Sequence, residues 1–267
     1  MRNPLAILLL AAAAQLPRPY TRVLLPLYLE QSVPGAFGSL WVSRFAVHNG
    51  GQISYLIDTC SPVSPDIFDP GCLAFLDADE EVRSNETQAA LPRRYPKPEN
   101  GAAGAVMYLH PRAADTPDPN SLSFELRITD VSRSSTSAGT EVPVVRESGF
   151  RTATLRLLDV PTDARFRSVV RLFEMNLARA EFTVRIIDPA TNTLLSERRV
   201  TTSTPPQGPL RFHPGFVQIA DPTASLGTAQ PANVRVEIEP LTAGSAFWAY
   251  VSITNNDSQQ VTLVTPQ

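Results

Sequence analysis

Short runs in which apolar and polar residues alternate, separated by clusters of proline and glycine, are the feature that most constrains the fold of this chain. The 267 residues include 25 prolines and 13 glycines, and helical periodicity is almost absent. In one such run, Phe182, Val184 and Ile186 alternate with Thr183 and Arg185. A strand of this kind has one core-facing and one solvent-facing side, which is typical of antiparallel sandwiches and barrels. The pattern therefore predicts an all-β protein.

The alternation also locates the strands and two of the turns between them. It predicts strands over residues 22–29, 40–48, 52–58, 105–110, 121–130, 141–146, 152–158, 165–174, 180–187, 194–201, 216–219, 233–238, 247–254 and 260–264. Asn49-Gly50 predicts a tight hairpin turn, because both central positions of such a turn need a positive φ. The proline and asparagine in residues 188–192 predict the loop of a second hairpin.

The length fits two modest domains, and we predict a boundary near residue 145. On this division residues 15–145 form an N-terminal sandwich and residues 146–267 a C-terminal one. A weak internal repeat supports two related halves: the run Trp41, Ser43, Phe45, Val47, Asn49 aligns with the run Phe247, Ala249, Val251, Ile253, Asn255. Any two half-buried strands would alternate in the same way, so chance similarity remains the alternative.

The N-terminal residues have the pattern of a signal peptide. One arginine, Arg2, precedes a short apolar run, and Ala12-Ala13-Ala14 provides a small-residue cleavage site before Gln15. A membrane span would need about 20 apolar residues in a row. We therefore predict that residues 1–14 are removed and that the product is secreted or periplasmic without a transmembrane segment. An uncleaved N-terminal anchor is the alternative.

Two cysteines, Cys60 and Cys72, flank a proline-rich stretch. In an oxidising compartment such a pair is expected to form a disulfide, which would hold a loop that has no secondary structure of its own. Closing a loop of this size contributes about 3 kcal/mol in the chain-entropy model. A zinc site is disfavoured, because the nearest histidine, His48, would leave the ligand set incomplete.

The acidic cluster Asp77-Ala78-Asp79-Glu80-Glu81 is the strongest chemical candidate in the sequence. Carboxylates at alternate positions on a loop, here Asp77, Asp79 and Glu81, can converge on calcium, and Asp66 and Asp69 lie upstream. The cluster begins a polar stretch, residues 77–100, which we predict to be a long surface loop and the place for a loop-borne site. A solvated acidic loop without a metal is the alternative, and no other cofactor is predicted.

No catalytic signature occurs in the sequence: a nucleophile elbow, a zinc helix, a phosphate-binding glycine loop and an EF-hand loop are all missing. The three histidines, His48, His110 and His213, lie far apart and are predicted to be structural. A paired-carboxylate glycosidase would need a carboxyl separation that a sequence does not define. We therefore predict that the protein is not an enzyme.

Charge and aromatic content narrow the range of partners. The formal net charge is −3, so no global positive field could hold a nucleic acid. Trp41, Phe247, Trp248 and Tyr250 lie within alternating runs and are predicted to be buried. An exposed sugar-stacking platform built from these rings is the alternative.

Several phrases resemble poorly characterised secreted proteins of soil-type bacteria such as Acidobacteria. They are residues 32–38, 139–147, 158–167 and 247–256, together with the ending Thr265-Pro266-Gln267. The resemblance implies Ig-like sandwich modules and export, and it carries over no functional residue. The fold class expected on all these grounds is two consecutive Ig-like antiparallel β-sandwich domains after a signal peptide.

The expected function is a secreted, non-enzymatic protein with a structural or adhesive role at or outside the cell surface. Its partner would be a cell-surface protein or a polysaccharide. A carbohydrate-binding module is the first alternative. An extracellular hydrolase with a site in residues 60–100 is the second.

Overall fold

The computed structural model describes residues 20–29, 32–58, 73–84, 104–111, 118–133, 138–176, 178–203, 214–224, 226 and 231–267. This part of the chain is nearly all β, with antiparallel strands in four sheets and three short 3-10 turns. The predicted all-β, sandwich-type class is thereby confirmed. No helix among these residues has the length and apolar character needed to cross a membrane.

The strands follow the predicted alternation closely, except for three that were not predicted. In chain order they are β1 (Thr21–Leu25), β2 (Val33–Pro34), β3 (Leu40–Asn49), β4 (Tyr55–Asp58), β5 (Leu73–Leu76), β6 (Glu81–Ser84), β7 (Ala105–Pro111), β8 (Leu122–Asp130), β9 (Thr140–Glu141), β10 (Val145–Arg146), β11 (Leu155–Pro161), β12 (Phe166–Glu174), β13 (Glu181–Asp188), β14 (Thr193–Thr201), β15 (Gly215–Ala220), β16 (Asn233–Pro240), β17 (Phe247–Asn255) and β18 (Val261–Val264).

The four sheets form four layers. Sheet 1 has the order β2-β3-β8-β9, with β6 also paired to β3; sheet 2 is β10-β1-β7-β4-β5; sheet 3 is β15-β12-β17-β18; sheet 4 is β11-β16-β13-β14. Sheets 1 and 2 enclose one apolar cluster, and sheets 3 and 4 enclose a second. A third cluster lies between sheets 2 and 3. The two inner sheets are therefore covered on both faces.

Strands β7 and β17 show why the inner sheets are buried on both sides. In β7, Met107 packs into the cluster shared with sheet 1, whereas Tyr108 packs into the cluster shared with sheet 3. In β17, Ala249 faces sheet 4 and Trp248 faces sheet 2. Both strands are continuously apolar where they cross the middle of the stack, as expected for strands without a solvent-facing side.

The two sheet pairs have the same strand topology. The order β1-β7-β4-β5 in sheet 2 matches the order β11-β16-β13-β14 in sheet 4, and β6-β3-β8-β9 around sheet 1 matches β15-β12-β17-β18 in sheet 3. Chain order is preserved in both matches. The described part of the chain thus contains an internal structural repeat.

The repeat extends to the pairing register. Trp41 opposite Asp130 in the first sheet pair corresponds to Phe166 opposite Asn255 in the second. Tyr55 opposite Pro111 likewise corresponds to Phe182 opposite Pro240. The alignment predicted from the sequence matched β3 with β17, but the structural equivalent of β3 is β12. It was wrong because alternation with a period of two is shared by every half-buried strand.

The Asn49-Gly50 turn also differs from its prediction. Strands β3 and β4 lie in different sheets, so the turn is a corner between layers and the predicted hairpin was wrong. The side-chain amide of buried Asn49 donates to the carbonyl oxygens of Ile53 at 2.8 Å and Asp77 at 2.9 Å, which fixes the corner. The predicted hairpin at residues 188–192 is confirmed by the pairing of β13 with β14.

Three strands, β2, β5 and β6, were not predicted. Strand β5 directly follows the proline-rich stretch, and β6 lies inside residues 77–100, which were predicted to be one long loop. Residues 85–100 lie outside the described residues. Strand β10 pairs with β1 in sheet 2, and the next strand, β11, belongs to sheet 4. The domain boundary at residue 145 stays a prediction.

Candidate functional site

The contact between sheets 2 and 3 joins the two sheet pairs, and we call it the junction. Its buried residues are Leu24, Val106, Tyr108, Val145, Phe173, Met175, Trp248 and Tyr250. The rings of Phe173 and Tyr250 stack with their centroids 6.2 Å apart and their planes 8° apart. A Cβ on Gly104 would lie 2.8 Å from the Phe173 ring, so the backbone approaches the ring closely. The junction is packed as tightly as a core.

Arg22 closes one side of the junction. Its Nε and Nη2 donate to Oε1 of Glu147 at 2.8 and 2.6 Å, and its Nη1 donates to the carbonyl oxygen of Met175 at 2.6 Å. Glu147 follows β10 directly, and Met175 follows β12. A single guanidinium therefore joins sheet 2 to the segment between β10 and β11 and to the end of β12 in sheet 3.

The repeat provides a matched control for this guanidinium. Arg156 occupies the position equivalent to Arg22, but its ion pair with Glu237 lies on the outer face of sheet 4. We expect Arg22→Ala to lower the free energy of unfolding by about 1.5–3 kcal/mol, because charged hydrogen bonds are lost beside buried groups. Arg156→Ala should cost about 0–1 kcal/mol, as exposed pairs do. Equal losses in urea titrations of the two variants would contradict this role of Arg22.

A partly buried polar contact lies next to the aromatic rings of the junction. Nη1 of Arg171 donates to Oγ of Ser252 at 2.6 Å, and the guanidinium carbon lies 5.7 Å from the centroid of the Tyr250 ring. Burial raises the pKa of the Tyr250 hydroxyl, and the positive charge of Arg171 opposes this only in part. The phenol therefore stays protonated, so the group is suited to packing rather than to proton transfer.

Glu174, at the end of β12, is the most buried carboxyl group described. Its Oε2 accepts a hydrogen bond from the backbone N–H of Ala178 at 3.0 Å. Burial raises its pKa, whereas backbone hydrogen bonds from Ala178, Asn176 and Ala246 and the charge of Arg22 act in the opposite direction. Its equivalent in the first sheet pair is Asn49, which fixes the other corner. Glu174 therefore holds a corner in place.

The raised pKa gives a pH dependence that can be measured. Protonation of Glu174 favours the folded state; this stabilisation is complete below the unfolded pKa of about 4.3 and is lost as pH rises through the higher folded pKa. Glutamine does not ionise. The free energy of unfolding of Glu174→Gln minus that of the wild type should therefore increase as pH rises from about 4.3, and urea titrations at several pH values measure it. A difference that stays constant with pH would contradict the burial of an ionisable group.

The predicted calcium ligands are spread along one turn and one strand. The carbonyl oxygen of Asp77 accepts from the backbone N–H of Glu80 at 3.2 Å, and Asp79 has a φ of 56°. Glu81 lies on β6, where a hydrogen bond from Arg83 lowers its pKa. In the part of the chain that the structure describes, no three His, Cys, Asp or Glu residues are placed to hold a metal. Asp66, Asp69 and the predicted Cys60–Cys72 disulfide lie outside that part.

The other predicted residues do not form one site. His48 lies on the outer face of sheet 1, opposite Glu81 and Ser123, whereas the ring of His110 in sheet 2 lies 5.6 Å from that of Tyr20. His213 lies outside the described residues. The structure therefore keeps the two described histidines in different layers.

The burial predicted for Phe247, Trp248 and Tyr250 is confirmed. Trp41 is partly buried, and its indole N–H donates to Oγ of Ser39 at 2.9 Å. The three buried rings therefore do not form the exposed sugar-stacking platform that was the alternative. The aromatic residues with high exposure in the described ranges are instead Tyr20, Phe37 and Phe75.

The outer face of sheet 4 carries a row of alternating charges across all four strands. Arg156, Glu237, Arg185 and Glu197 lie opposite one another in that order. Nε of Arg156 lies 2.9 Å from Glu237, and Nε of Arg185 lies 2.7 Å from Glu197. Since each charge has a neighbour of opposite sign, this face has no excess positive charge to hold a polyanion.

Phe37 is a surface residue that the sequence analysis did not single out. It lies in the 3-10 turn Ala36–Gly38 with a φ of 55°, and it is 68% exposed. A bulky residue with positive φ is a conformational outlier. The only sequence signal is the pair of glycines that flank it, Gly35 and Gly38, which indicates a tight turn but not an exposed ring.

Comparison with known proteins adds no relative. The chain matches no family model, no curated protein and no solved structure.

Proposed function

We propose that this chain is a secreted, non-enzymatic β-sandwich protein with a structural or adhesive role at or outside the cell surface. The observation that carries the proposal is the junction, where apolar side chains of sheets 2 and 3 join two sheet pairs into one four-layer body. A protein that bears load or presents loops to a surface needs such a fixed arrangement. The signal-peptide pattern of residues 1–14 supports the compartment.

The ionisable groups of the described residues support a non-enzymatic role. The carboxyl group with a raised pKa, Glu174, accepts backbone hydrogen bonds at a corner, and the phenol of Tyr250 lies within the junction. A general acid needs a raised pKa together with access to a substrate. Neither group has that access, since both are almost completely buried.

Export of the protein and binding without catalysis can be tested in one experiment. The full chain would be expressed with its leader, and mass spectrometry of the exported product should give an N-terminus at Gln15. The purified product would then be incubated with insoluble polysaccharides and with bacterial cells. We expect retention on at least one surface without release of reducing ends. A product kept in the cytoplasm, or sugar release that Asp77→Asn and Asp79→Asn abolish, would contradict the proposal.

A carbohydrate-binding role is a second proposal, and one observation favours it. Phe37 presents an exposed ring on a turn, and the face of an aromatic ring attracts the partly positive C–H groups of a sugar. Phe247, Trp248 and Tyr250 do not serve this purpose, because they are buried.

A further inference from the structure

The loop that carries Phe37 is an addition to the repeated unit. In the second sheet pair, residues 162–165 connect β11 to β12. In the first sheet pair the equivalent connection spans residues 26–39 and includes β2 and the 3-10 turn. A longer connection in one copy of a repeat is not needed for the fold that both copies share. Loops on a fixed scaffold are where binding residues concentrate.

The Phe37 turn is held in one conformation by its own contacts. Oγ of Ser39 donates to the carbonyl oxygen of Ala36 at 2.8 Å, and Nη2 of Arg133 donates to that of Phe37 at 2.9 Å. A Cβ on Gly35 would lie 2.4 Å from Oγ of Ser39 and 2.6 Å from Nε1 of Trp41, so only glycine fits there. A non-glycine residue in the left-handed region costs about 1–3 kcal/mol, and such strain concentrates at functional sites.

The second sheet pair contributes to the same surface. The guanidinium of Arg167, on β12, lies 5.0 Å from the centroid of the Phe37 ring, and its Nη2 donates to Oε1 of Gln259 at 3.0 Å. The ring is thus supported on one side by a cation, while most of it stays exposed. Since Arg167 and Phe37 belong to different sheet pairs, the surface exists only when the junction is formed.

Few charges lie beside the ring. Nε of Arg133, whose Nη2 donates to the carbonyl oxygen of Phe37, lies 3.3 Å from Oδ2 of Asp130, so this arginine already has a carboxylate partner. Arg167, the cation against the ring, has neutral Gln259 as its hydrogen-bond partner. One such positive charge creates only a small field for a polyanion. An exposed ring beside a hydrogen-bond donor suits an uncharged ligand that has an apolar face and many hydroxyl groups.

We propose that the Phe37 turn and Arg167 form a contact site for a neutral polysaccharide. The exposed part of the Phe37 ring packs against the C–H face of a pyranose ring, and Arg167, held in place by buried Gln259, donates to its hydroxyl groups. Because the ring is fixed before binding, little conformational entropy is lost on association. This proposal rests on the carbohydrate-binding role proposed above and specifies the residues that would contact the sugar.

Affinity electrophoresis of the mature protein tests the site. Soluble neutral glucans, xylans and mannans would be cast into native gels, with polygalacturonate as the acidic comparison. We expect at least one neutral polysaccharide to retard the wild type and Phe37→Ala to weaken this binding tenfold or more. Phe75→Ala, which removes another exposed ring that lies on β5 of sheet 2, should bind like the wild type. Phe37→Trp should bind and report the sugar by a change in indole fluorescence.

The outcomes separate this site from the wider proposals. If a neutral polysaccharide retards Phe37→Ala as strongly as the wild type, the carbohydrate-binding role stands and the Phe37 site is overturned. If only polygalacturonate retards the protein, the neutral ligand class is overturned. If nothing retards the wild type, both the site and the carbohydrate-binding role fail, and the structural or adhesive role remains. Thermal unfolding of each variant shows whether it is folded.

Discussion

Replacing Phe173 by alanine should lower the free energy of unfolding by about 3–5 kcal/mol, the range for truncating a fully buried phenylalanine. The Phe173 ring is completely buried and contacts Phe216, Trp248 and Tyr250, with ring centroids between 5.3 and 6.5 Å from its own. The substitution would leave a cavity in the middle of the junction, where two sheets limit relaxation. Urea titration followed by tryptophan fluorescence measures the loss, because Trp248 lies beside the cavity.

His48 provides the control, because it occupies the equivalent position in the repeat. It lies on the outer face of sheet 1, which none of the other three described sheets covers, so His48→Ala should change the free energy of unfolding by about 0.5 kcal/mol or less. The two positions share sheet topology and register, and they differ in the covering layer and in the side chain that is removed. If both variants lost the same stability, the four-layer arrangement would not describe the protein in solution.

Gly139→Ala should also be strongly destabilising. Gly139 has a φ of 75°, and a Cβ there would lie 2.4 Å from the carbonyl oxygen of Ile128 and 2.4 Å from Oγ1 of Thr129. The left-handed conformation alone costs about 1–2 kcal/mol for a residue with a Cβ. The overlap with backbone adds to this cost, because β8 is fixed by its pairing with β3. We expect a total loss of about 3 kcal/mol or more, by analogy with overpacked cores.

Gly244→Ala separates the cost of the left-handed conformation from the cost of steric overlap. Gly244 has nearly the same φ, 76°, but a Cβ there would meet no heavy atom within 4 Å. It should therefore lose only the conformational part, about 1–2 kcal/mol. Thermal unfolding of both variants at one pH is the measurement. A loss for Gly244→Ala as large as that for Gly139→Ala would mean that steric overlap at β9 contributes nothing.

The strands could be predicted from the sequence because most have one solvent-exposed face and one buried face. Phe182, Val184 and Ile186 are buried as the alternation required. Strand β6 was missed because Val82 is the only apolar residue among its four, and a polar strand differs little from a loop in its composition. The Asn49-Gly50 turn was misassigned because local turn chemistry does not specify which sheet the next strand joins.

The sequence contains a second pattern that indicates the junction, distinct from the alternation of apolar and polar residues. Residues 105–109 and 247–251 are continuously apolar, and such runs indicate strands buried on both faces. This signal could have predicted that β7 and β17 are inner strands, though not that they face each other. The position of Phe37 beside Arg167 had no such signal, since it depends on how two distant parts of the chain pack.

Each sheet pair is one repeated unit, and the way the two units pack together determines how a further copy of the unit could be added. Sheet 2 of the first unit is equivalent to sheet 4 of the second, so the units meet through unlike faces, as subunits do in an open-ended fibre. Each unit added in the same way would offer another free face. The positions on sheet 4 equivalent to Val106 and Tyr108 are Arg235 and Glu237, which are charged. A further unit packed on this face would have to desolvate these charges, so the electrostatics of sheet 4 opposes growth at that end of the stack.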